Sequence, residues 1–402
     1  MIHVWREKAQ KRCLEIGEPK PKQERFQYLP LTHLKLAAKA SPENAGTLAS
    51  IEAYRLPEFA HCLVFVDGYF SPTLSSLPKD LVCLPLDQAF QSYGLFLQNR
   101  WTKALKEEQD WFSALNAAEH GRGAFIYAPP NVKAGLHILN ILTSDALGSP
   151  RLEMTLGKQA DVTLVQTHVH LQSNACSNQA IDLTLGEGSK VRWLDMALLD
   201  PSATSFWSAR ATLKRDARLE ILAFTDGAAV MRSSFSVELA EENSSLSLQG
   251  LAMLADSRQA HVHALVDHAA PNCTSRQHFK AALAGTSHSS FEGKIFVRPI
   301  AQKTMAYQLN NNLVLSDEAR SNSKPNLEIF ADDVKASHGS TVTQLSAEEL
   351  FYLRSRGLTE IEAKSLLANG FCKELIDAIE IPSLRAPLLA AMKRVLANSH
   401  AL

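Results

Sequence analysis

The chain has 402 residues, of which 46% are hydrophobic and 21% are charged, the composition of a globular protein with room for two or three folding units. Its 41 basic and 42 acidic side chains leave a formal charge of -1, which gives no long-range attraction for nucleic acid or an acidic membrane. The N-terminus is charged where a secretory peptide is apolar, and no window approaches the roughly 18 apolar residues of a spanning helix. We therefore expect a cytoplasmic protein that binds neither nucleic acid nor membrane.

The first part of the chain mixes helical and strand patterns. An amphipathic helix is predicted from Arg6 to Ile16, ended by Gly17. A buried strand is predicted over Cys62–Val66, with a turn after it, and a helical stretch over Gln98–Ala118. These patterns predict an N-terminal mixed α/β unit over residues 1–120.

The middle of the chain, from about Ala124 to Val342, is predicted to be all β. Short alternating strands separated by polar turns recur there as four copies that begin 29, 28 and 26 residues apart, at Met154, Leu183, Ala211 and Val237. Stacking such copies buries an apolar face that one copy cannot bury alone, which favours a β-solenoid over residues 121–343. A β-sandwich is the alternative on pattern alone, because short strands at regular spacing suit it too.

Helical patterns return at the C-terminus. Ser346 with Glu349, and Thr359 with Glu362, form two capping boxes in front of apolar positions. We expect a small helical domain over residues 344–402. Its apolar stripe is expected to cap the open end of the solenoid or to dock a partner, since a bare end exposes unpaired strand edges.

Several catalytic motifs are absent from the sequence. There is no phosphate-binding G-x-x-x-x-G-K-[ST] loop, no G-x-S-x-G elbow, no H-E-x-x-H pair and no dinucleotide-binding G-x-G-x-x-G. We expect that the chain is not an enzyme and does not hydrolyse ATP. Its six cysteines are scattered singly, so it supplies no complete cysteine cage for zinc or a cluster.

Four linked segments resemble the SufB/SufD family in the same order: Phe291–Ile295, Ala301–Thr304, Pro325–Gly339 and Phe351–Gly357. The resemblance is strongest to SufD and implies a parallel β-helix core. It implies a non-catalytic scaffold subunit of an iron-sulfur cluster assembly complex, which pairs with SufB through the β-helix ends and binds the ATPase SufC. No permanent cofactor is implied, only a transient iron-sulfur cluster at the contact with SufB. In the absence of SufB we expect a homodimer.

The resemblance also implies a partner-binding segment in the C-terminal helices, formed by Phe351, Tyr352, Leu353, Arg354, Arg356 and Gly357. We expect SufC to bind there.

His338 is the candidate metal and cluster ligand. It follows Asp332 and Asp333 within six residues, and a carboxylate on its second ring nitrogen would fix its tautomer. The alternative is that the two aspartates cap a turn and that His338 with Gly339 forms another. Family resemblance favours the ligand, because the matching histidine of SufD proteins is implicated in cluster building at the SufB contact.

Ala336 stands where many SufD relatives carry a cysteine. If the last strand extends far enough, Ala336 and His338 share a face, so a thiolate that would have been a plausible ligand is missing. Either that cysteine is dispensable or the partner carries the sulfur chemistry.

A second group of polar side chains is a weaker candidate for metal binding or sulfur relay. Cys273 follows Pro-Asn, a loop context expected to keep the thiol reachable. The alternative is a set of inward polar residues satisfied by neighbouring coils. The group comprises His261, His263, His268, Cys273, His278 and His288. Asn310–Asn312 are predicted to form an amide ladder or a turn.

Two alternative functions remain open on the sequence. A SufB-like paralogue should carry a reactive thiol in the last coils, but no cysteine lies between Cys273 and Cys372. A carbohydrate-active β-helix enzyme would need a groove of clustered Asp, Arg and Lys along one face, and no repeated acidic ladder is seen.

Overall fold

The computed structural model describes residues 2–31, 51–120 and 122–400. The segment 32–50, part of the expected N-terminal unit, lies outside the described residues. The helices are α1 (Ile2–Ile16), α2 (Leu86–Glu107), α3 (Trp111–Glu119), α4 (Ala347–Ser355), α5 (Glu360–Asp377) and α6 (Arg385–Ala397). The strands are β1 (Cys62–Val66), β2 (Tyr69–Phe70), β3 (Val82–Pro85), β4 (Ala124–Ala128), β5 (Lys133–Leu142), β6 (Leu147–Gly148), β7 (Arg151–Leu156), β8 (Asp161–His170), β9 (Cys176–Leu185), β10 (Lys190–Ala197), β11 (Thr204–Leu213), β12 (Arg218–Thr225), β13 (Val230–Leu239), β14 (Ser245–Leu254), β15 (Gln259–His268), β16 (Thr274–Leu283), β17 (His288–Val297), β18 (Thr304–Val314), β19 (Arg320–Ile329) and β20 (Val334–Thr343).

Strands of the core alternate between two sheets, and from β7 onwards each pairs in parallel with the strand two further along the chain. Sheet 1 has the order β2-β1-β5-β8-β10-β12-β14-β16-β18-β20, and sheet 2 the order β3-β4-β7-β9-β11-β13-β15-β17-β19. The core is therefore a β-solenoid of about eight turns, as predicted, and not a sandwich. The four sequence copies mark its register, because Met154 pairs with Leu183, Leu183 with Ala211 and Ala211 with Val237.

One corner of each coil turns through a residue with left-handed backbone geometry. The φ angles of this column lie between 57° and 64°, at Asn131, Gln159, Gly188, Asp216, Asn243, Asn272 and Lys303. The N–H of each donates to a carbonyl of the next coil at 2.6 to 3.4 Å. Glycine, asparagine and aspartate tolerate this geometry best, which explains the polar turns that separate the copies in the sequence. The corners thus continue the hydrogen-bond ladder between the strands.

Apolar side chains fill the inside of the solenoid. Trp193 and Trp207 pack edge to face with ring centroids 5.2 Å apart, and Trp207 packs against Phe235 in the same way at 5.0 Å. Such aromatic pairs contribute about 0.5 to 1.5 kcal/mol beyond the burial of their surface. Stacking of one coil on the next is what creates this continuous core.

The N-terminal strands attach to the beginning of the solenoid, whereas Glu24 forms an ion pair with Lys324 of β19 in the last coil. β1 pairs in parallel with β5 and β3 pairs antiparallel with β4, so both extend the two sheets. The predicted helical stretch over Gln98–Ala118 is two helices, because Asp110 ends the run and caps α3 by accepting the Phe112 N–H at 3.0 Å. The sequence pattern did not distinguish these two helices, because apolar residues continue on both sides of Asp110.

The C-terminal helices α5 and α6 lie on the outer face of sheet 1. Buried residues such as Leu375 and Leu388 join one apolar cluster with Phe224 and Leu251 of the sheet. The expectation that this apolar stripe caps the open end is therefore wrong for α5 and α6, and docking of a partner by these helices stays a prediction. The flank of the solenoid offers an apolar surface in the same chain, and the helices bury it. The capping box at Thr359 is confirmed.

Candidate functional site at the open end of the solenoid

The last coil, β19 and β20, ends both sheets, and none of the described strands lies beyond it. The parallel ladder alternates, so every second residue of an edge strand directs its N–H and C=O away from the sheet. The Phe330 N–H donates to Val297 O at 2.9 Å, which places the odd-numbered residues of β19 on the free edge. Pro325 is one of them, so its missing N–H costs no bond within the chain. This open end therefore carries backbone N–H and C=O groups that no described strand pairs.

His338 lies inside β20, in register with Gln308 of β18. Ala336 is in register with Ala306, and the two β20 residues share the inward face as predicted. Ala336 packs against the apolar cluster around Ala306, while His338 is exposed at the open end. The alternative that His338 and Gly339 form a turn is wrong, because the strand continues to Thr343.

Asp332 and Asp333 lie at the corner before β20. The Asp333 carbonyl accepts the Lys303 N–H at 2.6 Å, and the Asp333 N–H donates to Gln302 Oε1 at 2.9 Å. From Asp333 to His338 the strand advances roughly 16 Å. The expected carboxylate on the second ring nitrogen of His338 is therefore not supplied by these aspartates, which form a turn. Proximity in sequence was misleading because an extended strand separates neighbours quickly.

The interior of the last coils is polar beneath His338. Asn312 Nδ2 donates to Asn310 Oδ1 at 2.8 Å, and both side chains are buried. Asn311 points outward and donates to Thr341 Oγ1 at 2.9 Å. These asparagines belong to β18, so they form neither a turn nor a ladder of three equal amides. The chain ends its solenoid with polar groups where earlier coils have apolar ones.

The six-residue histidine and cysteine group is not one site. His261 lies 2.8 Å from Ser290 Oγ, and His268 lies 2.8 Å from Ser275 Oγ in the interior. His278 is on the outer face of sheet 1, 3.9 Å from Glu374 of α5. Burial lowers the pKa of His261 and of His263 to about 3. Neighbouring coils satisfy most of these rings, which agrees with the alternative of polar side chains between coils.

Cys273 is buried, with its Sγ 3.2 Å from Ser244 Oγ. The expectation that its loop keeps the thiol reachable is wrong, because the corner stacks between neighbouring corners. Burial raises the pKa of the thiol, which disfavours the thiolate that a metal or sulfur relay needs. Across the residues that the structure describes, no group of three His, Cys, Asp or Glu is placed to hold a metal ion. His338 therefore offers one ligand and not a complete site.

Helix α4 stands away from the solenoid and has no buried residue. Phe351 is 75% exposed and Tyr352 is 56% exposed, while Leu353 is half-buried. Arg356 lies over the Tyr352 ring, 5.2 Å from its centroid. Adjacent exposed aromatic residues of this size are typical of protein interaction sites.

No helix within the described ranges has the length and hydrophobicity needed to cross a membrane. The fold and the site together define a class of protein: a parallel β-solenoid with one end that no described strand covers, where the imidazole of His338 lies on the last strand.

Comparisons with known proteins narrow this class. The family model for the SUF system FeS cluster assembly, SufBD core domain, matches residues 140–371. A Synechocystis iron-sulfur cluster assembly SufBD family protein is 31% identical, with 92% of this chain and 86% of that protein covered. Iron-sulfur cluster assembly protein SufD of Escherichia coli is 28% identical over 94% of this chain and 89% of its own length. A Mycobacterium leprae SufBD family protein is 38% identical over 46% of this chain and 50% of its own length.

The chain belongs to the SufBD family of the SUF iron-sulfur cluster assembly system. The comparisons support the cluster assembly class and give no support to the carbohydrate-active alternative.

Proposed function

We propose that this chain is a SufD-type scaffold subunit, which pairs with SufB and binds the ATPase SufC during iron-sulfur cluster assembly. The observation that carries the proposal is the open last coil, with His338 on its inward face between two unpaired strand edges. Similarity to Escherichia coli SufD over most of both chains supports the SufD type. The SufB-like alternative lacks support, because no cysteine lies between Cys273 and Cys372.

Pairing with SufB would occur at the open end. Unpaired edges bind another strand readily, and a related solenoid would continue both sheets at once. When SufB is absent, the same end would pair with a second copy about a two-fold axis. In such a pair, the polar interior of the last coil would face the polar interior of the same coil in the second copy, and not an apolar core.

The nascent cluster is cargo in this scheme. His338 would contribute one imidazole ligand, which suits iron. Ala336 supplies no thiolate, so the sulfur ligands and the remaining coordination would come from SufB. The chain itself would catalyse no reaction and keep no cofactor. This assembly would operate in the cytoplasm.

Binding of SufC would use α4 and the turn after it. The exposed aromatic pair Phe351 and Tyr352 would enter a hydrophobic recess of the partner, flanked by the charges of Arg354 and Arg356. ATP hydrolysis in SufC would then shift the population of open and closed SufB contacts, because α4 leads directly from β20.

Co-purification tests both contacts. Tagged chain expressed with SufB and SufC should retain both proteins. Replacing Phe351 and Tyr352 by Ser should release SufC and keep SufB, whereas Leu95→Ser, at a residue 81% exposed on α2, should change neither.

Ser340→Pro should weaken the SufB contact, because the even-numbered residues of β20 direct their N–H groups to the free edge. Ser340→Ala keeps that N–H and is the matched control. Retention of neither partner by the unaltered chain would contradict the proposal.

A further inference from the structure

Inward side chains of sheet 1 form columns that run from coil to coil. In the column that ends at His338, five apolar residues are followed by two glutamines: Leu136, Leu164, Trp193, Ile221, Leu248, Gln277, Gln308 and His338. Buried amides inside a solenoid cost free energy unless their hydrogen bonds are made. The two glutamines therefore need a reason to replace the apolar residues of earlier coils.

The amide of Gln308 makes one hydrogen bond, and its oxygen has no hydrogen-bond partner in the part of the chain that the structure describes. Its Nε2 donates to Gln277 Oε1 at 3.1 Å. The side chain is 3% exposed, and within the described residues its Oε1 has no hydrogen-bond partner. A buried acceptor without a partner costs about 1 to 3 kcal/mol. Gln277 lies on one side of this amide, and its Nε2 is likewise a buried donor without a partner among the described residues. The open end lies on the other side, and a further donor can approach Gln308 Oε1 from there.

Gly293 of β17 makes room for this amide from the opposite sheet. A Cβ at that position would lie 2.2 Å from Gln308 Nε2 and 2.5 Å from Phe291 Cζ. Neither contact is compatible with van der Waals radii, so any other residue would displace the Gln308 side chain. This gives a physical role to the glycine in the Phe291–Ile295 segment.

His338 is the donor that the open end offers. It pairs in register with Gln308 on the same face, and such neighbours are about 4.8 Å apart in a parallel ladder. Its ring makes no hydrogen bond to any described residue in the present rotamer. The His338 side chain is exposed, and a rotamer that turns the ring towards β18 would bring a ring N–H towards Gln308 Oε1.

We propose, on the basis of the cluster role proposed for His338, that Gln308 is a positioning residue for that imidazole. Its Oε1 accepts one ring N–H and holds the neutral ring in a single tautomer. The other ring nitrogen keeps its lone pair and faces the open end, where the cargo iron would be bound. Histidine ligands usually donate their second N–H to such an acceptor. An amide oxygen does this without adding charge, unlike the carboxylate expected from Asp332 and Asp333.

The tautomer of His338 is the direct readout. In ¹⁵N-histidine-labelled full-length chain, two-bond ¹H-¹⁵N spectra distinguish the ring tautomers, and His338→Ala identifies the His338 signals. We expect one dominant tautomer in the unaltered chain. Gln308→Leu removes the acceptor at similar volume and should lower the tautomer ratio about fivefold to tenfold. Gln308→Glu keeps an acceptor oxygen and should preserve the dominant tautomer.

Gly293→Ala provides a second test in case Gln308→Leu does not fold. It leaves the amide chemically intact but pushes it aside, so it should lower the tautomer ratio as well. An unchanged ratio in the folded variants would overturn the positioning role. If the ratio changes while His338→Ala leaves the cluster content of the co-purified complex unaltered, the cluster role fails and the positioning role stands.

Discussion

Arg394 of the last helix forms an ion pair with Asp226, at the end of the sixth strand of sheet 1. The same carboxylate accepts from Arg258 Nη1 at 2.9 Å and from the Leu199 N–H at 2.9 Å. Asp226 is 4% exposed and Arg258 is 8% exposed, so this pair is largely shielded from water, whereas the Arg394 side chain that joins α6 to it is 38% exposed.

Asp226→Ala should destabilise the chain by about 3 to 5 kcal/mol, because it leaves the buried Arg258 without its anion. Urea unfolding followed by tryptophan fluorescence measures the loss, and faster trypsin cleavage of α6 would locate it. Lys373→Ala, which removes an exposed pair with Asp377 in α5, should change the free energy of unfolding by less than about 0.5 kcal/mol. Equal effects of the two variants would contradict this view of the link.

Acid should destabilise the chain through its buried histidines. Burial lowers the pKa of His268 to about 4, from an ordinary value of 6.5. Below pH 6.5 the unfolded ring gains a proton while the native ring stays neutral, so stability is complete above pH 6.5 and lost towards pH 4. At pH 5 the loss from this residue is about 2 kcal/mol.

His268→Gln should therefore lose about 2 kcal/mol less than the unaltered chain when unfolding is compared at pH 7 and pH 5. Ser275→Ala removes a hydrogen bond of the ring but leaves its titration in place. This control should show the full acid loss. The same loss in His268→Gln would refute the assignment.

Two substitutions at corners with left-handed backbone geometry should change the stability of the chain in opposite directions. Lys303 has φ 59°, so Lys303→Gly should stabilise the chain by about 0.5 to 1 kcal/mol through relief of backbone strain. Gly285 has φ 67°, and a Cβ there would lie 2.8 Å from Asp256 O. Gly285→Ala should destabilise by more than about 1 kcal/mol. Thermal and urea unfolding measure both changes in stability. A higher stability of Gly285→Ala would contradict the close approach of its Cβ to Asp256 O.

His338→Ala should lower the cluster content of the complex co-purified with SufB and SufC by tenfold or more. Ala336→Cys should not raise it, because Ala336 faces the apolar cluster around Ala306, where burial disfavours a thiolate. Ser340→Ala, two residues along the same face, is the matched control. Iron and sulfide analysis of the purified complex provides the measurement, and an undiminished cluster in His338→Ala would eliminate the ligand role.

Sequence periodicity predicted the solenoid because its signal repeats: each copy in the sequence is one strand pair in the structure, in the same register. The helical end was predicted from its capping boxes, but its position on the flank was not, since an apolar stripe does not say which surface covers it. Cys273 was misjudged for a similar reason, because a loop between stacked coils is buried by its neighbours.

The position of the candidate site followed in part from the sequence. Alternation along one strand predicted the shared face of Ala336 and His338, whereas His338 itself was chosen from family resemblance and its ligand role stays a prediction. Gln308 was missed because it lies thirty residues earlier in the chain, although the repeat length itself brings it beside His338. Continuing the copies of the middle region towards the C-terminus would have found it. Asp332 and Asp333 were expected to contact the His338 ring only because they are close to it in the sequence.

The two ends of the solenoid differ, and this bears on how large an assembly could grow. At the N-terminal end the outermost strands are the short antiparallel β2 and β3, whereas β19 and β20 are long and have no further strand beside them among the described residues. If pairing uses only the C-terminal end, as proposed, a molecule would close on its first neighbour and would add no further copy by strand pairing. The polarity of the chain would then prevent fibre growth, the usual hazard of stacked β-strands.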